Sequence, residues 1–326
     1  MARPRLGALR RRRDTGIRYL IALLTASTLS HVAAQTTLPE RRVAITIDDG
    51  PVVNELKDLA NFQRISAGLI GSLQSEKVPA TVFINERQLN VQGQRDGRAA
   101  VLAQWLDAGY DLGNHTYSHP SLNKVSLSQF EDNIIKGEVI MRPLVEERGR
   151  KLVWFRYPFL DSGMSAEVHQ AVLDFLRERH YRVAPVTVDY KDYIFAGAYG
   201  RKLRTGDQET AEKIKQAYLE YVDAGFASAE KISKDLLGYE LPQILLIHCS
   251  ELNSVTLRDS IARMRKRGYS FVSLEEAMND PAYQRPDTFT GPGGSWLEHL
   301  GDAMGKPVEE DMESGIPKWI AARPPR

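Results

Sequence analysis

Val43-Ala44-Ile45-Thr46-Ile47-Asp48-Asp49-Gly50-Pro51 is a β-branched apolar run that stops at two adjacent carboxylates and a turn. A run this short, bounded by Gly-Pro, reads as a strand buried on both faces, the kind that parallel sheets use. Six further strand candidates follow: Pro79–Ile84, Tyr110–Gly113, Leu152–Arg156, Arg182–Val188, Gln243–His248 and Ser270–Val272. Helical patterns lie between them, over 54–76, 98–107, 126–148, 165–179, 208–236 and 256–267, with a last one from Leu274. This alternation predicts an α/β fold with a parallel sheet, open or rolled into a barrel.

Asp48, His115, Arg156, Asp189 and His248 all fall at or just past a predicted strand end. Those C-terminal ends share one face of a parallel sheet, so distant positions line one cleft there. Asp49, His115 and His119 offer one hard oxygen and two imidazoles. That set suits Zn²⁺ with a position left open for water, and Co²⁺, Ni²⁺ or Mn²⁺ take the same ligands. A single helical turn through His115-Thr116-Tyr117-Ser118-His119 would bring both rings to one face. Asp48 is then placed to accept a proton from the activated water. His248 suits either a third histidine ligand or a general acid, the latter kept charged by Asp189 or Asp192. Arg156 would orient Asp48 and favour its ionised form. His169, His180 and His299 lack such company and read as ordinary surface.

The N-terminus carries Arg10-Arg11-Arg12-Arg13 and Arg18, an apolar stretch from Tyr19 to Leu29, and Val32-Ala33-Ala34. This three-part pattern predicts a secretory signal peptide over 1–34, cleaved before Gln35, and hence a periplasmic or extracellular protein. The apolar run is too short for a stable membrane span. Without residues 1–34, which hold seven Arg and one Asp, the formal charge falls from +1 to −5. No basic stripe remains for a phosphate backbone, which argues against a nucleic-acid partner. Cys249 is the only cysteine, so no internal disulfide exists, and it reads as a small buried hydrophobe. Residues 35–280 form one domain by pattern. Beyond them, 281–326 is rich in Pro and Gly and reads as a tail laid over the barrel, with Trp296 and Trp319 as anchors.

These residues, in this order, resemble the polysaccharide deacetylase family, the NodB-homology or family-four carbohydrate esterases. The signatures match Thr46–Gly50, His115–His119, Arg156-Tyr157-Pro158-Phe159, Asp189–Tyr193 and Ile244–His248. The resemblance covers about 42–275. It implies a distorted (β/α)7-type barrel with the site at the C-terminal ends of its strands. It also implies a metal-dependent hydrolase that removes acetyl groups from an N-acetylated sugar or polysaccharide by attack of metal-bound water. Carried over by position, Asp48 is the base, Asp49, His115 and His119 are the metal ligands, and His248 is the acid. Arg156 orients the base, Asp192 tunes the acid, and the Tyr157 backbone N–H receives the oxyanion. Phe159, Tyr193 and Tyr117 are the implied substrate-binding aromatics. Tyr193 stands where the family usually has Trp. Two rival readings use the same residues: O-acetyl esters or a non-sugar amide as substrate, and an inactive carbohydrate-binding wall protein.

Overall fold

The computed structural model describes residues 41–53 and 58–321, so the leader and the first residues of the 54–76 helix lie outside it. Its centre is the quoted run. Strand β1 (Arg41–Gly50) pairs with β2 (Ala80–Ile84) on one side and β6 (Gln243–His248) on the other. Val43, Ala44, Ile45, Thr46 and Ile47 are all buried, as a strand covered on both faces requires. The sheet continues through β3 (Asp111–Asn114), β4 (Trp154–Phe155) and β5 (Arg182–Val183), while β7 (Tyr269–Phe271) pairs with the start of β1. Every pairing is parallel. The fold is the expected α/β arrangement.

One expected strand, 182–188, is broken. Arg182 and Val183 pair with β4, but regular pairing resumes only as a bridge from Val188 to Leu245 of β6. Pro185 between them has no N–H to give a ladder, and the Val186 carbonyl accepts from the Trp296 backbone N–H at 2.6 Å. This segment therefore joins β4 to β6, and the C-terminal segment fills the gap in an irregular barrel.

The helices are α1 (Leu59–Glu76), α2 (Arg95–Asp107), α3 (Leu127–Lys136), α4 (Met141–Glu146), α5 (Ala166–Glu178), α6 (Asp192–Arg204), α7 (Gln208–Leu237), α8 (Glu251–Lys266), α9 (Leu274–Ala277), α10 (Trp296–Ala303) and α11 (Lys318–Ala321). The continuous helix expected over 126–148 is two helices. At the break, a Cβ on Gly137 would meet the Thr116 carbonyl carbon at 2.7 Å and Asn114 Oδ1 at 2.8 Å. The Glu86 carboxylate then accepts from the backbone N–H groups of Ile140 and Met141, capping α4. The break lets α3 press against the histidine loop.

Helix α6 was not anticipated, and neither were α10 and α11 in the tail. A Ser295–Glu298 capping box starts α10. Trp296 is buried and anchors the segment, but Trp319 is 54% exposed and does not. Among the described residues, no helix is long and apolar enough to cross a membrane.

Candidate active site

The end of β1 carries both carboxylates. Its register against β2 shifts between Ile47 and Gly50, and Asp49 adopts a left-handed φ of 59°. Such an irregularity re-aims side chains at a strand end. Asp48 points inward and is 2% exposed. Arg156 Nη1 donates to Asp48 Oδ2 at 3.3 Å, and Nη2 donates to Thr46 Oγ1 at 3.0 Å. Among the described residues, Asp48 Oδ1 has no protein partner. Burial pushes this carboxyl up to about 6, against the pull of the Arg156 guanidinium and His248.

Asp49 Oδ1 stands 3.7 Å from His115 Nε2 and 3.4 Å from His119 Nε2. The three ligand atoms lie within 4.8 Å of one another. Ligands about 2.0–2.1 Å from a tetrahedral ion stand roughly 3.4 Å apart, so the cluster fits a small divalent cation. His115 Nδ1 donates to the Arg156 carbonyl at 2.8 Å, which leaves the Nε2 lone pair toward Asp49. Burial and the neighbouring His119 hold His115 well below the usual imidazole range, so it is a neutral donor.

The expected helical turn between the two histidines is absent. Thr116 and His119 have left-handed φ values of 66° and 60°. The loop is instead tied by side chains. Asn114 Oδ1 accepts from the Thr116 N–H, Thr116 Oγ1 accepts from the His119 N–H, and Asn133 Oδ1 accepts from Ser118 Oγ. Asn85 Nδ2 donates to the His115 carbonyl at 2.6 Å. Polar anchors, not helical spacing, bring the rings together.

On the other flank, the register of β1 and β6 sets Asp48 opposite His248. His248 Nδ1 is 2.6 Å from Asp192 Oδ1, while Asp192 Oδ2 accepts from the His248 backbone N–H and from Asn253 Nδ2. Burial alone would lower the imidazole, but the charge and hydrogen bond of Asp192 raise it to about 10. Burial alone would raise Asp192, and its bonds to His248 and Asn253 instead hold it low. Of the two candidate partners, Asp192 is the one in contact, whereas Asp189 pairs with Lys191 Nζ at 2.7 Å.

Of the expected aromatics, the Phe159 ring lies 4.5 Å from that of His119, Tyr193 lies 5.8 Å from His248, and Tyr117 lines a groove of about 530 Å³ beside Asp49 and His119. The backbone N–H groups of Tyr157 and Phe159 both lack a protein acceptor among the described residues. Sequence reading missed the Phe159 amide, and also Thr46, Asn85 and Asn253. Thr46 was legible as a polar residue inside an apolar strand; Asn253, inside a helix, gave no signal. Two histidines read as surface are buried. His169 Nδ1 donates to the Ser162 carbonyl, and His299 sits between Asp287 and the Gly293 carbonyl. His180 is exposed, as expected. Cys249 is buried, and its Sγ lies 2.8 Å from the Pro51 carbonyl.

Residues 35–184 match the family model described as polysaccharide deacetylase. A peptidoglycan-N-acetylglucosamine deacetylase of Bacillus cereus is 28% identical over 151 residues, 46% of this chain and 46% of that protein. A chitin deacetylase of Arthroderma benhamiae is 22% identical over 73% of this chain and 52% of its own length. The chain thus spans about half the length of these curated relatives. Among solved structures, a mutant of the Bacillus anthracis protein BA3943, described as a CE4 family pseudoenzyme, superposes with a TM-score of 0.51 at 18% identity. The match covers 74% of this chain and 68% of that one. At that identity the likeness is one of fold.

Proposed function

The chain belongs, through residues 35–184, to the polysaccharide deacetylase family, and on that premise we propose that it hydrolyses the acetamide of an N-acetylated sugar polymer with one divalent cation. Asp49, His115 and His119 would hold the cation, for which Zn²⁺ suits the donor set best. When bound, it polarises the acetyl carbonyl and makes a neighbouring water more acidic. Asp48 takes the proton of the attacking water through Oδ1, the oxygen with no protein partner among the described residues. Arg156 and Thr46 keep the other oxygen in place. The amides of Tyr157 and Phe159 are free to receive the developing oxyanion, and loss of one such donor costs about 3–4 kcal/mol in comparable sites. His248 commits Nδ1 to Asp192, so Nε2 carries the proton for the departing amine.

The observation that carries this reading is the register of β1 and β6. It sets Asp48 and His248 side by side on adjacent strands, next to the Asp49–His115–His119 cluster, which supports the roles proposed for them. The test is acetate release from chitooligosaccharides, peptidoglycan fragments and acetylated xylan, with Zn²⁺ and with chelator. Metal-dependent release from an N-acetylated sugar is expected. Release from acetylated xylan alone would move the activity to O-acetyl esters, and no release from any sugar would sink the assignment. The pattern of residues 1–34 supports export to the periplasm or cell exterior. Recovery of a secreted chain beginning at Gln35 checks it.

A further inference from the structure

The turn after β4 holds two consecutive left-handed residues, Phe159 (φ 60°) and Leu160 (φ 59°). Residues with a Cβ adopt this conformation rarely, and it persists where the surroundings over-determine it. The same turn contains the Tyr157 and Phe159 amides, which have no protein acceptor among the described residues. Asp161 ends it and is 8% exposed. This carboxylate has no part in the reaction assigned above, yet other segments engage both of its oxygens. Oδ2 accepts from Ser121 Oγ at 2.5 Å, two residues beyond His119, and Oδ1 accepts from the Gly293 backbone N–H at 2.9 Å. The C-terminal segment adds further ties at this point. The Gly291 N–H donates to the Gly163 carbonyl at 3.1 Å, and Asn123 Nδ2 donates to the Gly291 carbonyl at 3.1 Å. A Cβ on Gly293 would stand 3.4 Å from the Phe159 carbonyl oxygen, so the backbone there lies against the strained turn. Asp161 thus joins the histidine loop, the turn and the C-terminal segment. A clasp serving the C-terminal segment alone could sit anywhere along it; this one is two residues from a free amide.

We propose, resting on the reaction assigned above, that Asp161 is a positioning residue for it. Clasped by Ser121 and Gly293, it holds the turn so that the Tyr157 and Phe159 amides face the reacting carbonyl at a fixed distance from His119. The segment beyond residue 280 thereby belongs to the frame of the active site.

The test compares full-length wild type with Asp161→Ala and Asp161→Asn in acetate release from chitooligosaccharides and peptidoglycan fragments with Zn²⁺. Asp161→Ala should lower kcat about 10–100-fold with KM changed less than about threefold, since small displacements of a reacting group are this costly. Metal content by elemental analysis should not change. Asp161→Asn keeps an oxygen for the Gly293 N–H and should recover most of the loss. Should Asp161→Ala fail to fold, Ser121→Ala removes only a hydroxyl and should lower kcat about 3–10-fold. A second readout is binding of a chitooligosaccharide whose acetyl carbonyl is replaced by a tetrahedral methylphosphonyl group. Its affinity should fall in proportion to kcat/KM, as for a mimic of the transition state. A variant that is merely less stable would lose turnover and bind the mimic as before, and that result would overturn the proposal. Wild-type kcat in both Asp161→Ala and Ser121→Ala would also overturn it and leave the reaction standing. Wild-type protein inactive on every sugar would remove the reaction, and this role with it.

Discussion

Two buried aspartates stand on either side of the cleft, and their surroundings differ in one respect. Asp192 receives a donor at both oxygens, from the His248 ring, the His248 backbone and Asn253. Asp48 receives one side-chain bond, from Arg156 at 3.3 Å, and keeps an oxygen bare. The first is held low and turns its histidine into a cation. The second is pushed up to about 6, where a carboxylate can both hold and release a proton. Saturation with hydrogen bonds suits one carboxylate to a supporting part; an unpaired oxygen leaves the other open to the proton transfer proposed for it.

The largest expected effect tests the reagent. Asp48→Asn should lower acetate release by about 10³-fold while metal content, measured by elemental analysis, stays at the wild-type level. Undiminished release would remove Asp48 from the role of base. Replacing the support should do less and act through pH. The His248 imidazole is raised to about 10, so its donor form is present below that pH and lost as pH rises through it. In Asp192→Asn the alkaline limb of kcat should move down toward the ordinary imidazole range near 6.5, with kcat at neutral pH falling about 10–100-fold. An alkaline limb that stays in place would break the contrast between the two aspartates. The acid limb should belong to Asp48, with rate gained as pH rises through its pKa, and a bound cation would draw that limb below 6.

A smaller effect tests the loop that carries His115 and His119. Gly137→Ala puts a methyl 2.7 Å from Thr116, which should cost about 1–3 kcal/mol of stability by calorimetry. Metal retention should weaken in parallel; full retention would mean that the α3 contact does not hold the histidine loop. Tyr193→Trp, beside His248, is the mildest change. It should alter kcat/KM for acetylated oligosaccharides by less than about tenfold, since it reshapes a wall and leaves the proton path intact. A larger loss would give Tyr193 a part in the chemistry.

The placement of the candidate site residues was more legible in the sequence than the loops and helices around them. Asp48, His115, Arg156 and His248 each interrupt or end a short apolar run, so their strand-end placement could be read directly. The link between His115 and His119 could not, because it depends on Asn114, Thr116 and Asn133 bonding across a loop with left-handed residues. Helix α6 was hidden for a related reason. It follows Lys191 in a left-handed conformation with no side-chain cap, and it contains Gly197 and Gly200, which lower helical propensity. The 182–188 strand failed at Pro185, a signal present in the sequence whose consequence required knowing that Trp296 would arrive there. The capping box at Ser295 was readable, but the surrounding Pro and Gly concealed it.

Arg156 serves the cleft twice, by different parts of itself. Its carbonyl orients His115, and its guanidinium orients Asp48. The first service belongs to the main chain and survives any side chain at position 156; the second disappears with a single codon change. Under the proposed function, ion retention and turnover are therefore separable in heredity: one change at position 156 would end turnover and leave the Asp49–His115–His119 cluster in place.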